Sequence, residues 1–192
     1  LNCLRVILTN AILDIVVYKK YNIPNKIKTD VWQYLNENNI GNRFEFNGNK
    51  EQQFVGLVGE IIIKRLFGLD HEFKNGFDGG FDFVYKGLKI DVKTMGRNVD
   101  VKDYFVNNFV AHQKQFDCDI YIFCSLNKKT NELTICGFLS KKELLQKSIY
   151  RKKGETMQRS NGTTFVLKTD NYQIENKDLK NIEKLFYYLP KH

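Results

Sequence analysis

The stretch GGFDFVYKGLKIDVKT, residues 79–94, sets two acids and a lysine among apolar residues of a strand-like pair. Lys86-Gly87 reads as a two-residue hairpin turn, where glycine supplies the permissive backbone. That turn opposes Tyr85 to Leu88, Val84 to Lys89, Phe83 to Ile90, and Asp82 to Asp91. Side chains alternate along a strand, so Phe81, Phe83 and Tyr85 share one side with Ile90, Val92 and Thr94. Asp82, Asp91 and Lys93 gather on the other. Like charges directly opposed destabilise a strand pair. A divalent cation would offset that cost, and hard oxygen donors suit Mg2+ or Mn2+. Zinc is not expected, because no histidine or cysteine accompanies the acids.

Just upstream, residues 49–67 read as a helix with Phe54, Leu57, Val58, Ile61 and Ile62 at helical spacing and Gly68 as the stop. Gln53, Gly56, Glu60 and Lys64 form a polar stripe beside that apolar face. Glu60 has two readings: an acid turned toward the hairpin cluster, or a solvated partner of Lys64 at i,i+4.

Asp82 followed by Asp91-Val92-Lys93 resembles the PD-(D/E)xK nuclease superfamily, with its restriction-endonuclease-like fold. Phe81 stands where the motif's proline would be, and DGGFDF resembles the GxD element of the Mrr-like branch. GLVGEIIIKRLFG matches the family's glutamate-bearing helix, and Gly56 and Gly59 would let that helix approach the site closely. The resemblance covers roughly residues 50–149. It implies an α/β fold with a mixed central β-sheet flanked by helices (αβββαβ-like) and an N-terminal helical extension. The expected division is 1–48 for the extension and 49–192 for the nuclease-like domain. It also implies a metal-dependent DNA endonuclease of restriction-like, repair or phage type. Asp82, Asp91, Glu60 and the Val92 carbonyl would hold Mg2+ or Mn2+, and Lys93 would orient water or stabilise developing charge. A structure-selective nuclease such as a Holliday-junction resolvase, or a non-catalytic nucleic-acid-binding module, stands as the alternative.

The remaining sequence bears on partners. The chain has 192 residues and a net charge of +8, which suits one domain with an anionic partner. Positive charge concentrates on Lys141, Lys142, Lys147, Arg151, Lys152, Lys153 and Arg159, the expected DNA contacts, with a solvated face as the alternative. RNA is a further candidate substrate, and a homodimer would suit cutting both strands. His112 and Gln113 are weighed as helpers at the mouth of the site; Asp78 is read as a turn residue, and His71 as a surface or loop residue. Cys118, Cys124 and Cys136 lie in or beside apolar runs and read as reduced thiols. The apolar stretch at the N-terminus is broken by Arg5, Asn10 and Asp14. It lacks the layout of a membrane span or signal peptide, so the expected location is cytoplasmic.

The coarse pattern adds helices over 2–19, 29–38 (burying Val31, Trp32 and Leu35), 141–149 and 176–189. Ser140 and Glu143 read as a capping box on the third of these. Loops are expected over 22–28, 36–50 and 150–163. Strands are expected over 71–74, 81–85, 88–95, 104–110, 119–125, 133–138 and 163–168.

Overall fold

A computed structural model of the chain describes residues 18–38, 48–73, 79–159 and 162–185. A five-stranded mixed sheet organises it, in the order β1-β6-β5-β3-β2. The strands are β1 (Lys19–Asn22), β2 (Phe83–Tyr85), β3 (Leu88–Arg97), β5 (Ile120–Asn127) and β6 (Glu132–Ser140). Among the described strands of this sheet, only the central β3–β5 pair is parallel. All eight residues of β5 are buried, as expected for a strand covered on both faces.

Alternation along β5 divides the interior. Ile120, Ile122, Cys124 and Leu126 enter one core with helices α1 (Asn25–Glu37) and α2 (Lys50–Leu66). Tyr121 and Phe123 enter the other, with Phe109, Leu139 and Ile174. That second face is covered by α3 (Lys141–Lys147) and a smaller sheet, β4-β10-β7, of Val106–Val110, Asn171–Glu175 and Ile149–Arg151. A separate hairpin pairs β8 (Thr156–Gln158) with β9 (Thr164–Val166). A register shift between Phe123 and Cys124 gives β6 one extra residue near Gly137. Ile135 and Phe138 therefore both reach the first core despite opposite parity.

Local signals place several elements as expected. Asn49 and Gln52 form a capping box on α2, and Ser140 and Glu143 form one on α3. Cys118, Cys124 and Cys136 are free and buried. No helix of the described residues is long and apolar enough to cross a membrane.

Other expectations are corrected. Helix α1 begins at Asn25 with Pro24 as its cap, so the expected break over 22–28 is strand end and helix start. Proline suits that position because a helix's first N–H groups lack partners anyway. Val31 and Leu35 are buried, but Trp32 is 39% exposed and stacks on Phe54 at 4.6 Å. Residues 71–73 form no strand. The expected loop over 150–163 contains strand residues of β7 and β8, and the expected C-terminal helix is, over residues 176–184, a pair of 3-10 turns at Asn176–Asp178 and Ile182–Lys184, with Leu185 already helical. Leu179, Ile182 and Leu185 are nevertheless buried, as that helix required. Residues 18–38, placed by the sequence in the N-terminal extension, supply an edge strand and a helix to the main sheet and its core. The expected helix over 2–19 lies outside the described residues up to position 17, as do Asp78 and Phe186.

Candidate active site

The hairpin forms with the expected turn, and three of the four expected pairs form; Asp82 does not pair with Asp91. Lys86 and Gly87 have φ of 47° and 81°, and Phe83, Val84 and Tyr85 face Ile90, Lys89 and Leu88. Positive φ at both central residues is what lets a two-residue turn match the strand twist.

At Asp82 the pairing departs from a straight ladder. Its N–H donates to the Ile90 carbonyl at 2.9 Å, although the Cα partner of Ile90 is Phe83. The Asp82 carboxylate then accepts the Val92 N–H at 2.7 Å. This is a bulge-like step, of the kind that re-aims a side chain. It also explains a correction: Phe81 packs with the second core while Phe83 packs in the first, so the two do not share a side.

Asp91 and Lys93 do share a face, beside Tyr121 and Phe123 of β5. Asp91 is 6% exposed, and the Lys93 Nζ lies 2.5 Å from its Oδ2. The two are thus paired in a largely enclosed setting, not on an open hairpin surface.

Helix α2 crosses the other face of β3. A Cβ at Gly59 would lie 1.9 Å from the Thr94 Oγ1, so only glycine permits this approach; at Gly56 nothing stands within 4 Å. The expected close approach belongs to Gly59 alone. Glu60, the next residue, is bound by Lys64 at 2.6 Å, with side-chain exposures of only 18% and 12%. The i,i+4 pair foreseen as an alternative is therefore present, but it is largely withdrawn from solvent.

These charges act on one another. Burial raises the Asp82 carboxyl well above its ordinary pKa, and the negative charges of Asp91 and Glu60 raise it further; Lys93 and the Val92 N–H oppose that rise. An excess of carboxylate around a buried carboxyl is what a bound cation would relieve. The donor chemistry therefore suits a hard divalent ion at Asp82 and Asp91. Among the described residues, no three His, Cys, Asp or Glu side chains gather at metal-ligand spacing. Glu60 bears on the site through its charge on Asp82.

The sequence reading of His71 as a surface or loop residue is corrected, since the residue stands outside any motif and only the fold encloses it. Its side chain is 7% exposed and its Nδ1 lies 3.5 Å from the Glu60 Oε1. Neither ring nitrogen has a hydrogen-bond partner among the described residues. Burial lowers its pKa to about 4, and the nearby Lys64 and Arg65 push the same way. A depressed histidine stabilises the fold above its ordinary 6.5 and loses that contribution as pH falls toward 4, because the unfolded chain binds the proton first. The span corresponds to about 3 kcal/mol. His71→Phe should flatten the urea midpoint between pH 6.5 and 4.5; a profile as steep as the parent's would place the sensitivity elsewhere.

The seven expected nucleic-acid contacts lie on α3 and along β7 to the β8–β9 hairpin. Lys141 donates to the Phe116 carbonyl at 2.5 Å, Arg151 pairs with Glu155 at 3.5 Å, and the Arg159 guanidinium sits over Phe165 at 4.4 Å. Lys142, Lys147, Lys152 and Lys153 are exposed. His112 and Gln113 occupy a 3-10 turn, Ala111–Gln115, where His112 contacts Gln115 at 2.8 Å and the edge of Phe116. That turn faces a separate cleft.

No family model, curated protein or solved structure matches this chain.

Proposed function

We propose that this chain is a metal-dependent DNA endonuclease of the PD-(D/E)xK type on a restriction-endonuclease-like core. The observation that carries the reading is the electrostatic cluster: Asp82, its pKa raised by burial and then by the charges of Asp91 and Glu60, with Lys93 opposing. The order α2, β2, β3, then β5, β6 and α3 shares the leading helix and hairpin with an αβββαβ-like core, but sets four strands of the main sheet between α2 and α3. The intervening β4 belongs to the second sheet.

Asp82 and Asp91, with the Val92 carbonyl, would hold Mg2+ or Mn2+. When bound, such an ion polarises a phosphate oxygen and makes water a stronger acid. Lys93, now on the Asp91 carboxylate, would turn to the phosphate and stabilise the charge that builds there. Glu60 supports the site by its negative charge and keeps Lys64 engaged. Burial around Asp91 limits water, which strengthens each of these interactions.

The non-catalytic binding module draws on a specific observation: Lys93 and Lys64 already neutralise Asp91 and Glu60. One experiment separates the readings. Plasmid, linear, single-stranded and branched DNA are incubated with the protein in Mg2+, in Mn2+ and in EDTA. Cutting in either metal that stops in EDTA, and that Asp91→Ala abolishes, supports the nuclease. No cutting of any substrate, or an Asp91→Ala variant as active as the parent, defeats it. Preference for the branched substrate would favour the structure-selective form.

A further inference from the structure

On the second face of the main sheet, a cleft of about 690 Å3 opens between the 3-10 turn after β4 and the ends of β7 and β10. Its size is that of a site for a small organic ligand. Lys114, Lys153 and Lys168 line it together with His112, Tyr150 and Tyr172. The three lysines are exposed. Tyr150 leaves 43% of its surface to solvent and lies 5.2 Å from the ring of Tyr172.

Asp170 is the only acid lining the cleft among the described residues, and its oxygens are committed. Its carboxylate accepts the Lys153 N–H at 2.7 Å and the Tyr150 hydroxyl at 2.5 Å. Its carbonyl accepts the Ala111 N–H at 2.9 Å. One residue thus ties together the three segments forming the cleft wall. What it leaves facing solvent is cationic and aromatic.

We propose that this cleft binds an unpaired segment of nucleic acid. Lysines meet phosphates wherever they lie, in duplex or single strand. An exposed aromatic ring adds selectivity, because only an unpaired base offers a face to stack on it. A duplex keeps its bases stacked inside, out of reach of Tyr150. A chain of contacts leads from the cleft to Gly80, two residues before Asp82. His112 meets Phe116 edge-on at 5.8 Å, and Phe116 fills the space that a Cβ at Gly80 would take, 2.5 Å from its own Cβ. Binding in the cleft needs no cleavage; delivery of the bound strand toward Asp82 rests on the nuclease reading.

The test is run in EDTA, so it is independent of cutting. Fluorescence anisotropy compares a labelled oligothymidine of about twelve nucleotides with a duplex of equal length, across a salt series. Tyr150→Ala should weaken single-strand binding about tenfold and leave duplex binding nearly unchanged. Tyr150→Phe, which keeps the ring and drops the hydroxyl on Asp170, should bind as the parent does. Lys114→Glu with Lys168→Glu, both at exposed positions, should weaken single-strand binding and flatten its dependence on salt. The proposal is overturned if Tyr150→Ala leaves single-strand binding intact or weakens both substrates equally. It is also overturned if Tyr150→Phe loses as much as Tyr150→Ala, or if the lysine pair changes neither affinity nor salt slope.

Discussion

Asp82→Asn should move activity and stability in opposite directions. On the proposed nuclease reading, cleavage should fall by about 10^3-fold or more, since the lost charge is one of two that would hold the cation, a role worth several kcal/mol. The asparagine Oδ1 can still accept the Val92 N–H that the carboxylate now accepts at 2.7 Å, so the bulge-like step keeps its hydrogen bond. In EDTA the variant should melt above the parent. Burial and the charges of Asp91 and Glu60 raise the folded carboxyl, so its ionised form weakens the native state. The sign follows: below the ordinary carboxylate range the two proteins should match in this respect, and the variant's advantage should grow as pH rises through the raised value. Mg2+ should stabilise the parent and have little effect on the variant. Melting curves from pH 3.5 to 8, with and without Mg2+, check each part. A variant that melts lower than the parent at pH 8 would mean that Asp82 serves the hairpin alone.

Gly137→Ala should cost about 3 kcal/mol or more, at the upper end for a single methyl group. Gly137 has φ of 146°, in a region that L side chains rarely adopt. A Cβ there would lie 2.4 Å from the Lys180 carbonyl oxygen and 2.8 Å from the Leu179 Cβ. The obstacle is backbone, pinned by two hydrogen bonds between Phe138 and Lys180 at 2.9 and 3.1 Å, so no side-chain rotation relieves it. Either β6 or the chain after Asp178 must move, which would loosen the buried Leu179, Ile182 and Leu185. A urea titration reads the loss as a lower midpoint with unchanged slope. A cost below 1 kcal/mol would show that this segment docks loosely.

Much of the candidate site is visible in the sequence because its cause is local. Lys86-Gly87 sets a two-residue turn, and the turn sets the register of Phe83–Tyr85 on Leu88–Ile90. Helix α2 and its glutamate follow from apolar spacing and the Gly68 stop, and the structure adds the Asn49–Gln52 box at its start. The capping box on α3 is equally local. By contrast, β7 carries no buried face of its own: Ile149 and Tyr150 are 58% and 43% exposed. It becomes a strand by pairing with β10, some twenty residues further along, and no pattern in residues 149–151 announces that partner. The C-terminal stretch misleads in another way. Leu179, Ile182 and Leu185 have spacings a helix would use, but Lys180 is tied to Phe138 of β6. That tie holds the chain in short turns and still buries the same side chains.

The sequence by itself determined the hairpin, its turn and the shared face of Asp91 and Lys93, because each depends on neighbours a few residues apart. Only the tertiary structure decided that Asp82 steps out of the ladder to take the Val92 N–H and that Glu60 bears on it from another element. It also placed His71, with no signal in the sequence, against Glu60. These outcomes require α2 to lie directly on β3. The missing side chain at Gly59, against Thr94, is the physical reason it can.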